Sequence, residues 1–238
     1  MSDRRQGSWL FTVRVGLVLA ALLPPLRLRL ALARDDARAY RLVRDCARRV
    51  VTLSGCRVSV EHAERVPSGL PVMFVSNHVS LADAAVLLAT LPFDIRFVAN
   101  HVFAKYPLLG AAIRAASAHI VDRGSWRSRA ECGETMTESL AAGQSLLVFP
   151  EGGTSDDGRL RPFRRGAFQA AARTVRTIVP IVIRGTRDMF PPDTYVLANA
   201  RVSVDILDPL IARDGTREGV ADLLTRTAAA ISIHLHSA

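Results

Sequence analysis

The sequence predicts an α/β fold, a mixed, mostly parallel sheet flanked by helices, and three observations predict it. Short apolar runs rich in Val, Ile and Phe alternate along the chain with longer runs of helical period, the rhythm of strands joined by crossover helices. Two of these runs, 72–75 and 178–183, are apolar throughout, as strands covered on both faces must be. Several strands also end abruptly in polar residues, and in an open α/β sheet that edge is where ligands sit. A chain of 238 residues, 49% of them hydrophobic, is long enough for one domain with a well-buried core.

The first 54 residues read differently from the rest. We therefore divide the chain into a basic, apolar N-terminal segment, residues 1–54, and a domain of residues 55–238. Residues 1–57 hold twelve arginines against four aspartates, which is eight of the nine net positive charges. A basic end on a near-neutral domain points to an anionic surface. Trp9 to Leu23 is apolar except for Thr12, Arg14 and Gly16, and Pro24-Pro25 is expected to stop the helix there. Fifteen residues are short for a membrane span, which needs about 20. Asp35 and Asp36 mark a helix start, after which Leu42, Val43, Cys46, Val50 and Leu53 recur at helical spacing among arginines. Such basic amphipathic segments lie in the membrane interface and are attracted to anionic phospholipid. The competing reading is an arginine-rich helix that simply covers the sheet. Ala31-Leu32-Ala33 has the small-residue form of a signal-peptidase site, although Arg27 and Arg29 before it argue against cleavage. Whether residues 9–33 cross a bilayer or lie along it stays open. Nucleic acid is not the expected partner, because the basic region lacks the interleaved aromatics of single-strand binders.

Within the domain, Arg57–His62 alternates like a strand after a break at Gly55, and Pro67-Ser68-Gly69 turns the chain into the strand ending at Val75. A helix is expected over Leu81–Leu91, a strand over Asp94–Ala99, a helix over Pro107–Ala116 and a strand over His119–Val121. Then come a helix over Ser128–Ala142, a strand over Ser145–Phe149, a Gly/Asp-rich loop to Arg165 and a helix over Gly166–Arg176. Strands over Thr177–Ile183 and Arg201–Leu207 and a final helix over Thr216–His236 complete the pattern. Three cysteines with no C-x-x-C pair indicate neither a disulfide framework nor a zinc site, and no metal is expected.

The candidate chemistry sits at the strand ends. The run from Val72 stops in Ser76, Asn77 and His78, and Asp83 falls in the first turn of the next helix. A carboxylate on one ring nitrogen of His78 would fix the tautomer and leave the other nitrogen free to take a proton. No G-x-S-x-G elbow supplies a serine nucleophile, so a substrate hydroxyl is the better acceptor of that assistance. The plain alternative is that Ser80 and Asp83 form an S-x-x-D capping box and His78 is a turn residue. Elsewhere, Ile120-Val121 runs into Asp122-Arg123-Gly124, and Phe149 into Pro150-Glu151-Gly152-Gly153. Arg123 offers a planar fork suited to phosphate. The glycines after Glu151 let backbone N–H groups approach an anion. Glu151 itself would repel a phosphate, so its expected task is to hold a hydroxyl or orient an arginine.

Asn77-His78 through Asp83, Val121–Gly124, Phe149–Gly152 and Val179–Ile183 together resemble, in order and spacing, the four blocks of the glycerolipid acyltransferase family. Its best-known members are the 1-acylglycerol-3-phosphate acyltransferases. The resemblance covers roughly residues 55–210. It implies that family's fold, and acyl transfer from acyl-CoA or acyl-carrier protein to a lysolipid hydroxyl without a covalent acyl-enzyme and without a cofactor. It makes His78 the general base, Asp83 its orienting carboxylate, Arg123 a phosphate ligand of the acceptor, and Glu151 and Gly152 further acceptor-site residues. Pro180 falls in the fourth block, associated with the acyl chain or donor. The expected setting is the cytoplasmic face of a bacterial inner membrane. Two departures remove charge. Gly153-Thr154-Ser155 follow Gly152 where many members have Thr-Arg-Ser, and His101-Val102 stand where members often carry Lys-Glu. Arg161, Arg164 and Arg165 are placed to compensate from the loop. Otherwise the acceptor lacks a glycerol phosphate, lyso-ornithine lipid being one such acceptor. Asn77 and Gly153 complete the candidate site.

Overall fold

The structure, a computed structural model, describes residues 8–106, 110–122, 124–155, 157–189 and 196–237. Among these, seven strands form one sheet in the order β1-β7-β6-β2-β5-β3-β4. They are β1 (Arg57–Glu61), β2 (Met73–Ser76), β3 (Arg96–Asn100), β4 (Ser117–Val121), β5 (Leu146–Val148), β6 (Ile178–Arg184) and β7 (Arg201–Ile206). All neighbours run parallel except β6 and β7, which are antiparallel. The mixed, mostly parallel sheet is thus as expected, and β2 is buried at every position because helices cover both faces.

One face packs under α1 (Trp9–Ala31), α2 (Asp36–Ser54), α3 (Ala82–Thr90) and α5 (Gly110–Ala116). Phe74, Phe97, Leu147, Val179 and Ile181 point into that core. Alternate residues of the same strands, Met73, Val75, Leu146, Ile178 and Val182, point to the other face. That face is covered by α6 (Trp126–Ala141), α7 (Gly166–Arg173) and α9 (Arg217–His236). The period of two along each strand divides its side chains between the two cores.

The N-terminal segment departs from expectation in one respect. Pro24-Pro25 does not stop α1, which runs on to Ala31. Each proline removes one backbone donor and strains the preceding turn, at about 3 kcal/mol or more in a helix interior. Leu26 is nevertheless buried, and Leu23 and Leu30 pack on the same core, so burial on both sides of the pair holds the helix together. At 23 residues α1 has the length and composition of a membrane-crossing helix, and it is mostly exposed. It is apolar around much of its circumference rather than on one face, whereas α2 carries the amphipathic pattern. Asp35 caps α2 by accepting from the Arg38 N–H at 2.7 Å, and Gly55 ends the helix at φ +80°. Tyr40 and Val43 of α2 join Phe11 and Leu26 in the core under the sheet, so the boundary at 54/55 separates elements that share one core. Part of the arginine face is likewise occupied. Arg44 is buried against Asp94 and the Leu91 carbonyl, and Arg48 donates to the Ala89 carbonyl.

The remaining strands and helices fall within a few residues of expectation. The expected start of α5 at Pro107 lies outside the described residues. Two four-residue helices, α4 (His101–Ala104) and α8 (Thr186–Met189), were too short for periodicity to reveal.

Candidate active site

The chain order of the strands explains what meets at the sheet's C-terminal edge. After β2 the chain leaves for β3 and β4, and only later inserts β5 on one side of β2 and β6 on the other. The turns after β2, β5 and β6 therefore converge, although 73 residues separate His78 from Glu151. This is the switch point of an open α/β sheet.

His78 stands in the turn between β2 and α3. Its Nδ1 lies 2.8 Å from Asp83 Oδ2. The same oxygen accepts from the Val79 N–H at 2.8 Å and the Ser80 N–H at 2.9 Å. Asp83 is fully buried and His78 is 8% exposed. A carboxylate accepts at Nδ1, so the proton sits on Nδ1 and Nε2 keeps its lone pair. The capping and orienting readings of Asp83 are thus one arrangement: the oxygen that gathers the Val79 and Ser80 N–H groups of the turn ahead of α3 also holds the imidazole. One face of the ring is covered by Phe149, stacked at 4.0 Å between centroids and 17° between planes. Nothing in the sequence signalled that contact, because it depends on β5 lying beside β2.

Glu151 takes a different task from either one expected. Its two oxygens accept from the His78 N–H at 2.7 Å and the Arg161 N–H at 2.8 Å. It therefore ties the His78 turn to the 150–165 loop through backbone. Burial pushes its carboxyl above the ordinary range, against the lowering effect of those two N–H groups. The Ser155 N–H closes the loop from the other side by donating to the His78 carbonyl at 2.9 Å.

Asn77 exchanges two 2.9 Å hydrogen bonds with the backbone of Ile183, locking the end of β2 to the end of β6. That makes it a brace. Gly152 has φ +78°, and a Cβ there would lie 2.4 Å from Arg164 Nε, so the guanidinium of Arg164 lies directly over this glycine. Arg161 Nη1 is 3.8 Å from where a Gly153 Cβ would stand. Arg165 is exposed beside the start of α7 and touches neither Glu151 nor His78 among the described residues. Arg123 lies outside the described residues. Pro180 sits in mid-β6, where its carbonyl accepts from the Leu207 N–H.

Beside His78 opens an apolar cavity of about 290 Å³. His78 and Phe149 share its wall with Leu23 of α1, Ala47 of α2, Leu88 of α3 and Ile113 of α5. Pro180 is not among its lining residues. The cavity exists only because the N-terminal helices close over this face of the sheet, and no local sequence pattern announces it.

A buried His–carboxylate pair at the edge of a mostly parallel sheet, opening into an aliphatic cavity, defines the class: an α/β protein that sets a polar pair beside an apolar pocket. The chain belongs to the acyltransferase family, whose profile matches residues 57–184. It is 34% identical over 156 residues to 1-acyl-sn-glycerol-3-phosphate acyltransferase LPAT1, chloroplastic, of Arabidopsis thaliana, covering 65% of this chain and 44% of that protein. It is 25% identical over 174 residues to the 1-acyl-sn-glycerol-3-phosphate acyltransferase of Borreliella burgdorferi, covering 73% and 69% respectively. The chain spans less than half the length of the chloroplast relatives it matches. Its fold is that of the crystal structure of the 1-acyl-sn-glycerophosphate (LPA) acyltransferase from Thermotoga maritima, with TM-score 0.76, 22% identity and 96% of each chain covered.

Proposed function

We propose that the protein transfers a fatty acyl chain from an acyl thioester, acyl-CoA or acyl-carrier protein, to the free hydroxyl of a lysophospholipid, with 1-acylglycerol-3-phosphate as acceptor and phosphatidic acid as product. The observation that carries this reading is His78, held at Nδ1 by buried Asp83 and lining an apolar cavity. His78 Nε2 removes the hydroxyl proton as the oxygen attacks the thioester carbon. The imidazolium is stabilised by Asp83. The tetrahedral intermediate then collapses, the C–S bond breaks, and the proton leaves with the sulfur as a free thiol. The charge gathering on the thioester oxygen requires positioned donors. The Gly153 and Thr154 N–H groups have no acceptor among the described residues, and we assign them that role. The cavity takes the acyl chain. Arg164 over Gly152, with Arg161, faces the acceptor phosphate, and the family resemblance adds Arg123 as a further ligand. No metal or cofactor enters this scheme.

The apolar α1 and the basic α2 support action at a membrane, with the arginines toward the cytoplasmic face of a bacterial inner membrane. A second reading keeps the chemistry and changes the acceptor. Thr154 replaces an arginine on the acceptor side, which favours a lysolipid without a glycerol phosphate, such as lyso-ornithine lipid.

The test is release of free thiol from palmitoyl-CoA by detergent-extracted protein. Lysophosphatidic acid and lyso-ornithine lipid serve as alternative acceptors, with wild type and His78→Ala compared. Acceptor-dependent release that vanishes in His78→Ala supports the reaction. Turnover with lyso-ornithine lipid but not lysophosphatidate selects the second reading. Release that persists unchanged in His78→Ala removes the mechanism.

A further inference from the structure

The opposite edge of the sheet carries another cleft, this one partly polar, of about 1040 Å³. It opens where β2, β3 and β5 begin, with Val72 and Ser145 in its floor. Val72 and His78 lie at opposite ends of β2, roughly 20 Å apart along an extended chain, so a ligand here does not touch the reacting groups.

Arg41, Arg44 and Arg48 recur every three to four residues along α2 and line this cleft, and Arg96 enters it from β3. Three of these guanidinium groups are already fixed, Arg48 by donating to the Ala89 carbonyl at 3.2 Å. Arg44, 9% exposed, donates to Asp94 Oδ1 at 2.5 Å and to the Leu91 carbonyl at 2.6 Å, while its buried Nε has no partner among the described residues. Arg96 donates to the Ala115 carbonyl at 2.6 Å and lies 4.3 Å over the Tyr40 ring. Arg41 is exposed and has no hydrogen-bond partner among the described residues. The lining carboxylates are Asp45 and Asp94, so the four arginines leave the cleft net positive. Its remaining wall mixes apolar residues with Ser68, Gln144 and Ser145, and Leu70 in it is 63% exposed. The α2 end of the cleft begins at Ala37, six residues beyond the end of the membrane-apolar α1 at Ala31.

We infer that this cleft binds a phosphate group, with the arginines of α2 as its ligands and the apolar part of the wall, around Leu70, accommodating whatever carries the phosphate. Guanidinium groups pre-positioned on protein acceptors bind phosphate without first losing their own freedom. The phosphate comes either from an anionic phospholipid headgroup beside α1 or from a soluble phosphate. A ligand held here bridges α2 to the loop before β2. It acts on the anchoring of the N-terminal helices rather than on turnover.

The experiment is site-resolved protection of arginine from phenylglyoxal, read by mass spectrometry on the full chain in a neutral detergent. The probes are dihexanoyl phosphatidylglycerol, inorganic phosphate and zwitterionic dihexanoyl phosphatidylcholine. At ten times its dissociation constant a ligand slows modification of Arg41 and Arg48 by roughly tenfold. The phosphatidylcholine probe, whose phosphodiester is neutralised by its own ammonium, protects them less than phosphatidylglycerol, and no probe protects Arg27 or Arg29. Protection by inorganic phosphate assigns the site to the phosphate alone, and protection by phosphatidylglycerol only assigns it to the lipid. Arg41→Gln, an exposed substitution, weakens protection of Arg48 by about tenfold. Equal modification with and without both anionic probes overturns the site. Equal protection of Arg27 and Arg29 does so too, because it would reveal only a diffuse basic surface. The readout is independent of turnover, so it stands or falls separately from the proposed reaction.

Discussion

Asp83→Asn tests the site most directly. One oxygen, Asp83 Oδ2, accepts from His78 Nδ1 and from the Val79 and Ser80 N–H groups, all within 2.8–2.9 Å. An asparagine with its carbonyl in that place keeps all three acceptor positions and the same His78 tautomer, but loses the negative charge. Hydrogen bonds to a charged acceptor contribute about 1.5–3 kcal/mol against about 1 for neutral ones. The new NH₂ takes the place of Oδ1, a buried atom with no partner among the described residues. A destabilisation of about 2–4 kcal/mol follows. In the transition state the loss is electrostatic. An imidazolium about 4 Å from a carboxylate gains roughly 4 kcal/mol at an effective dielectric of about 20. Removing the charge therefore lowers kcat by roughly two to three powers of ten. The assay is thiol release at saturating acceptor, with urea unfolding in parallel. Ser80→Ala, which removes only the hydroxyl that accepts from the Ala82 N–H, serves as the capping control and lowers stability by about 1 kcal/mol with kcat unchanged. If Asp83→Asn unfolds earlier in urea yet keeps kcat within about threefold, Asp83 is a helix cap and the orienting role is refuted.

Three further outcomes follow from the same geometry. Ala84→Phe projects a ring into the cavity; each methylene kept out forfeits about 0.8 kcal/mol, so palmitoyl transfer falls by about two powers of ten while hexanoyl transfer changes little. An equal loss for both donors would detach the cavity from the acyl chain. Gly152→Ala is strained at φ +78° by about 1–2 kcal/mol and pushes Arg164 aside, so the KM for lysophosphatidate rises more than kcat falls; an unchanged KM would remove Arg164 from the acceptor site. Burial raises the Glu151 carboxyl in the folded protein, so its contribution to stability is present below the ordinary carboxylate pKa of about 4.3 and is lost as pH rises through the folded value. The stability of wild type relative to Glu151→Gln should accordingly fall as pH rises from about 4, measured by urea unfolding across that range. A difference that grows with pH contradicts the burial argument.

The sequence alone determined the strand–helix alternation, the buried character of β2 and β6, and the local pair His78–Asp83. These depend on neighbours within a few residues, and the spacing that makes a helix cap also makes the pair. It also identified Glu151 and Gly152 as residues at a strand end, but not what Glu151 does. That was decided by β5 inserting beside β2, which brings a carboxylate 73 residues away onto the His78 N–H and stacks Phe149 on the ring. Pro24-Pro25 reads as a stop because propensity is local, and α1 continues because Leu26 is buried by the fold with Leu23 and Leu30 packed beside it. The apolar cavity and the arginine-lined cleft are likewise products of tertiary structure. Each is lined by several elements distant in the chain, and the packing of α1 and α2 onto the sheet decides where their walls meet.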